Sequence, residues 1–168
     1  NIGLCSSINI AAKLVSNKYI LYCHDDMYFC PKWDLVLFNE VNSISHDKFY
    51  LSGTMIEAYS GHIVHNFGTD LNSFKEKELL LKYKDINFYD HQGTHFAPHL
   101  VSKRIWNIVG GFSEEFNPGI ASDPDFNMKL WNLGVRIFKG LGKSRVYHFS
   151  SISLRKKAWN NGAKIFLL

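Results

Sequence analysis

Cysteine is scarce in this chain and poorly arranged for cross-linking. Cys5, Cys23 and Cys30 are odd in number and form no C-x-x-C unit, so reduced thiols in a reducing compartment are the simplest reading. No apolar run approaches the roughly 18 residues of a membrane span, and the opening residues do not read as a secretory leader. Neither sign of charge dominates. Nineteen Lys and Arg face fifteen Asp and Glu, a formal +4 that favours an anionic ligand without demanding one. Basic residues gather only between Lys139 and Lys164, where a solvated face is a better reading than a nucleic-acid patch, so no nucleic-acid partner is expected. Repeats, low-complexity tracts and linkers are absent, and so is an initiating Met. The sequence opens at Asn1 in the approach to a helix and stops in the apolar run Ile165–Leu168, so both ends read as cut.

What is there suits one domain. A chain of 168 residues with 46% hydrophobic content can bury one sizeable core. Ser6 or Ser7 is placed to cap a helix reaching Ser16, and Tyr19–Cys23 reads as a buried strand. Pro31 opens a helix carrying Trp33, Leu37 and Val41. Phe49–Tyr59 and His62–Phe67 read as strands around a turn at Ser60–Gly61, and Leu71–Leu81 as a helix. Ser102 should cap a helix stopped by Gly110–Gly111, and Ser122 or Asp123 should start another that ends at Gly134. Strands are expected at Val135–Phe138 and Ser144–Phe149, with a helix over Ser151–Asn160. This alternation predicts an α/β fold with a mixed, largely parallel sheet flanked by helices.

The most informative segment is YILYCHDDMYF, residues 19–29. A hydrophobic strand that runs into paired acids places them at its carboxyl end, where α/β sheets bind ligands. Adjacent carboxylates repel unless a cation or separate partners satisfy them, and a hard divalent ion would do so while also holding phosphate oxygens. An acidic turn with Asp26 capping a backbone amide is an equally good reading of that pair alone. Two later features tip the balance. In GGFSEEFNPGIASDPDFNMKLWNLG, residues 110–134, Asp123 and Asp125 fall at a helix N-terminus, where carboxylates cap and are stabilised. In SRVYHFSS, His148 ends a strand.

Other groupings compete with these. His91, His95 and His99 recur every fourth residue in HQGTHFAPH, which on a helix would make an open zinc site and point to a zinc-binding protein or hydrolase. Gly93 and Pro98 argue against such a helix. GLGKS at 140–144 is not a phosphate loop, because Ile137 stands where that pattern needs glycine.

Taken in order, the three favoured features resemble glycosyltransferase family 2, whose catalytic domains adopt the nucleotide-diphospho-sugar transferase (GT-A) fold. The resemblance covers nearly all of residues 1–168, which are read as a single, partial catalytic domain. It implies an inverting transfer of a sugar from a nucleotide-diphospho-sugar donor to a saccharide or other hydroxyl acceptor, with Mn2+ or Mg2+ as cofactor. Asp26 and His148 would hold the metal, Asp25, Asp26, Asn9 and Gly111 would contact the donor, and Asp123 would be the catalytic base. The motif reads His-Asp-Asp where many members have Asp-x-Asp, and Ser122 stands in place of the usual Glu. The family's first strands are missing, so an uncovered sheet edge and a homodimer are expected. A cytoplasmic location with peripheral membrane contact is likewise implied by the resemblance, as is a role in making cell-surface polysaccharide. A catalytically inactive sugar-binding domain of the same fold would show the same motifs.

Overall fold

The computed structural model describes residues 2–92, 97–149 and 162–166. The expected helix over 151–160 lies outside them. The chain runs α1 (Leu4–Leu14), β1 (Tyr19–Tyr22), β2 (Met27–Phe29), α2 (Trp33–Ser43), β3 (Phe49–Glu57), β4 (Ile63–Val64), α3 (Glu76–Lys82), β5 (His91–Gln92), β6 (His99–Ser102), α4 (Lys103–Val109), α5 (Ser122–Asn132), β7 (Ile137–His148) and α6 (Gly162–Phe166). The sheet has the order β1-β6-β3-β7-β2, with β4 beside β3 and β5 beside β7.

The sheet is mixed and helix-flanked as the alternation predicts, but it is not largely parallel, because antiparallel pairings outnumber parallel ones among the described strands. Parallel pairing is confined to the centre, where β3 runs beside β7 and beside the short β4. The other pairings, β1–β6, β3–β6, β2–β7 and β5–β7, are antiparallel. β3 is buried along all nine residues, as a central strand covered on both faces must be.

Residues alternate between the two faces. Ile20, Tyr22 and Tyr50 join a core with Cys5 and Ala12 of α1, Trp106 of α4, and Phe126 and Leu130 of α5. Their neighbours Tyr19, Leu21, Phe49 and Leu51 face Leu37 and Val41 of α2. A third cluster gathers Ile56, Phe67, Leu79 and Tyr147 below the ends of β3 and β7.

Several local expectations change; the helix expected from Leu71 begins at Glu76, and the strand expected over His62–Phe67 is only Ile63–Val64. The strands expected at 135–138 and 144–149 are parts of one long strand, Ile137–His148, because Gly140 and Gly142 do not break it. A Cβ at either glycine would collide with the His91 ring or the Phe88 carbonyl, so they admit the chain around β5. After Ser60–Gly61 the chain does not form a hairpin but loops round, so that β4 pairs parallel to β3. α1 starts at Leu4 rather than after Ser6 or Ser7, because the Asn117 side chain accepts from the Cys5 amide at 3.0 Å and satisfies its first turn.

The glycine turn behaves as expected. The Ser102 hydroxyl accepts from the Ile105 amide to cap α4, and Gly110 ends it in the left-handed conformation. Gly111 is left-handed too, and its α-carbon lies against the Asn9 side chain. Asn9 clamps the turn: its Oδ1 accepts from the Phe112 amide at 2.9 Å and its Nδ2 donates to the Phe112 carbonyl at 2.8 Å. Gly111→Ala should therefore destabilise the fold. The backbone conformation alone costs roughly 1–2 kcal/mol for an L-residue, and the collision with Asn9 adds to it. A urea midpoint for Gly111→Ala equal to that of the parent would refute this account of the turn.

Candidate metal centre and acidic cleft

β1 ends at Tyr22, and the turn Cys23–Asp26 leads into β2, which pairs antiparallel with β7 so that Met27 lies opposite His148. Asp26 is thereby delivered to the end of β7. Its Oδ1 lies 3.0 Å from His148 Nε2. His24 comes from the same turn, with its ring centroid 5.4 Å from that of His148. One ligand atom each from His24, Asp26 and His148 falls within 4.8 Å of the others, a spacing that fits one ion. Two imidazoles and a carboxylate suit Mn2+ better than Mg2+, which prefers oxygen ligands throughout.

Both imidazoles have an outer partner. His148 Nδ1 is hydrogen-bonded to Glu57 Oε1, and Ser60 Oγ donates to the other oxygen of Glu57. Glu57 is the last residue of β3 and is 4% exposed. His24 Nε2 lies 2.8 Å from the Tyr22 hydroxyl. Burial works against a charged His148, but its hydrogen bonds to Asp26 and Glu57 hold its pKa up at about 9. Burial would also raise Glu57, and its bonds from His148 and Ser60 pull it below the usual carboxylate value. For His24, burial and then the charge on His148 lower the pKa. Without a metal, protonated His148 links the two carboxylates, donating from Nε2 to Asp26 and from Nδ1 to Glu57. A divalent ion would take the place of the Nε2 proton.

The centre opens into a cleft of about 1310 Å³. Tyr22, His24, Asp25 and Asp26 line one side, the first turns of α1 another, and the Thr69–Asn72 turn a third. Asp25 is exposed on it. Asn9 and Gly111 are not among the residues lining this cleft; both are held in the glycine turn.

Asp123 is the second residue of α5. It does not line the cleft but sits close enough to Tyr22, Tyr50 and Cys5 for its charge to raise their pKa values. Its Oδ1 is buried with no hydrogen-bond partner. The helix terminus was expected to keep this carboxylate ionised, but burial raises its pKa to about 7. Asp125 differs, as its Oδ2 accepts from the Ser113 hydroxyl at 2.7 Å.

The histidine series does not converge. His95 lies outside the described residues. His99 opposes Ser52, Ser52 opposes Gly140 and Gly140 opposes His91, which puts His91 and His99 three strand spacings, about 14 Å, apart. His99 is fully buried, with Nδ1 2.6 Å from the Tyr50 hydroxyl and its ring among Tyr22, Phe112 and Phe126. The zinc reading falls with that separation.

His24 and Glu57 were not singled out in the sequence. The His immediately before the acid pair was a usable signal for the first. For the second, it was a lone acid ending an otherwise apolar strand.

No family model matches the chain, and no curated protein matches it in sequence. Solved structures do match. One is the crystal structure of GalNAc-T7 with UDP, GalNAc and Mn2+, similar over 87% of this chain with a TM-score of 0.62 and 12% identity. The chain spans about 30% of that protein's length. The likeness establishes a glycosyltransferase-type GT-A fold. Among the described residues, no helix is long and apolar enough to cross a membrane.

His99 supplies a stability test. Burial lowers its pKa to about 3, well under the unfolded value of 6.5. Between those values the unfolded chain binds the extra proton, so stability is present above pH 6.5 and declines as pH falls toward 3. Unfolding midpoints measured across that window should fall less steeply for His99→Gln than for the parent. Parallel profiles would show that His99 does not control the acid limb.

Proposed function

We propose that this chain is the catalytic core of a glycosyltransferase that moves a sugar from a nucleotide-diphospho-sugar donor to a hydroxyl of a saccharide or other acceptor. The observation that carries the reading is the convergence of His24, Asp26 and His148 at the strand ends of a GT-A sheet. Those three residues would hold the ion, Mn2+ in preference to Mg2+. When bound, that ion would offset charge on the leaving diphosphate. Glu57 keeps His148 Nδ1 occupied, so that Nε2 is the nitrogen turned toward Asp26. Asp25, exposed on the cleft beside them, would contact the donor's ribose.

Asp123 is the proposed base. A carboxyl with a pKa of about 7 and an unpaired oxygen can accept a proton near neutral pH, and Asp125 is already engaged by Ser113. Its charge acts on Tyr22, which lines the cleft, so Asp123 lies behind that part of the cleft wall. One base acting opposite the leaving group gives a single displacement with inversion.

Two substitutions separate these roles in the whole enzyme. Asp123→Asn should cut turnover by ~10²–10⁴-fold and leave donor affinity nearly unchanged, while Asp26→Asn should abolish metal-dependent donor binding. The readouts are turnover and the donor dissociation constant in Mn2+, with the anomeric configuration of the product read by proton NMR. Full turnover in Asp123→Asn would remove it as the base, and a retained anomeric configuration would remove the single displacement. Donor binding with no turnover in the parent would leave a sugar-binding domain of this fold.

A further inference from the structure

Tyr22 lies where the dry core meets the cleft. Its side chain is 4% exposed, and its ring packs edge-on against Phe112 at 5.3 Å and tilted against His99 at 4.7 Å. Those neighbours are held in turn. Phe112 follows the Gly110–Gly111 turn that Asn9 clamps, and His99 is bonded to Tyr50. A ring packed this way has no room to swing, so its hydroxyl is a fixed point at the cleft wall. That hydroxyl meets His24 Nε2 at 2.8 Å.

An imidazole that binds a metal through one nitrogen must keep its proton on the other, and the partner of the protonated nitrogen decides which is which. We propose that Tyr22 is a positioning residue for the candidate metal centre: its hydroxyl oxygen accepts the Nε2 proton of His24 and so presents Nδ1 to a divalent ion. The inference rests on the metal-centre reading above. The two imidazoles are then fixed in opposite senses. Glu57 occupies Nδ1 of His148 and leaves Nε2, while Tyr22 occupies Nε2 of His24 and leaves Nδ1. Presenting unlike nitrogens lets one ring arrive from a turn and the other from a strand end and still meet at one ion.

The test is Mn2+ binding to the metal-free protein, followed by the loss of the free-ion electron paramagnetic resonance signal. Tyr22→Phe keeps the packed ring, so its urea midpoint without metal should stay close to that of the parent. Its Mn2+ dissociation constant should rise ~10–100-fold, the usual effect of removing a ligand's outer partner. In a His24→Ala background, Tyr22→Phe should add nothing, because the ring it positions is gone. Unchanged or tighter Mn2+ binding by Tyr22→Phe would overturn the inference, as would an equal loss in the His24→Ala background, which marks a general structural effect. Asp26→Asn tests the metal centre separately. If that variant binds Mn2+ like the parent, the metal-centre reading fails whatever Tyr22 does.

Discussion

Three strand ends meet at one imidazole. His148 ends β7, Glu57 ends β3, and Asp26 closes the turn between β1 and β2. β3 and β7 run parallel with Ile56 opposite Tyr147, so their carboxyl ends finish together and Glu57 arrives beside His148. β2 pairs with the far side of β7 with Met27 opposite His148, which brings Asp26 in from the other direction. A slip of one residue in either pairing would turn His148 to the opposite face and separate all three. Register is therefore the constraint on which the site depends. It is set by burial, since β3 and the last residues of β7 are enclosed and tolerate no alternative facing. A charged imidazole in such surroundings is costly unless opposite charge lies on both sides, and two carboxylates provide it.

The parts of this arrangement that could be read in the sequence are the local ones. The run from Tyr19 into His24-Asp25-Asp26 shows a strand ending in acids because hydrophobicity and charge change within a few residues. Ser102 and Gly110 bound α4 because cap chemistry acts over a single turn. The α5 start at Ser122 was legible for the same reason. What escaped was set by contacts between distant residues. The cap of α1 comes from Asn117, 112 positions away. A polar side chain near a motif carries no sign of its partner, and the bonds of Asn9 to the Phe112 backbone could not be read in advance. Gly140 and Gly142 read as a break because glycine usually is one, whereas here they make room for β5.

Asp123 shows how one local rule can be outweighed. A helix N-terminus favours a carboxylate by ~0.3–1 kcal/mol, which is less than one pKa unit at 1.36 kcal/mol each. Loss of hydration at a buried carboxyl acts in the other direction and is larger, so the acid ends near neutrality. Glu57 is also enclosed, yet it shares a charged imidazole with the half-buried Asp26. The same acidic group thus serves two ends in this fold. Paired with His148, Glu57 is held below its usual value, whereas the unpaired Asp123 has a pKa of about 7, where it can accept a proton.

The cleft adds a further electrostatic condition. Asp25, Asp26, Asp70 and Glu76 line it, and among the described lining residues there is no Lys or Arg. An anionic diphosphate entering such a cleft would face repulsion from several sides, with His24 and His148 as the local cationic candidates among the described residues. His24 is a poor one, since burial and the charge on His148 both lower its pKa. His148 already has its protons committed to Asp26 and Glu57. On the glycosyltransferase reading, then, attraction for the donor's phosphates has to come largely from the ion that the acids hold, because the described walls supply little of it. The chain's formal +4 does not change this, since a Debye length of about 8 Å at physiological salt screens charges spread over distant surfaces. On that reading the acids of the described walls, unfavourable for an anionic substrate by themselves, would favour its binding through the metal they hold.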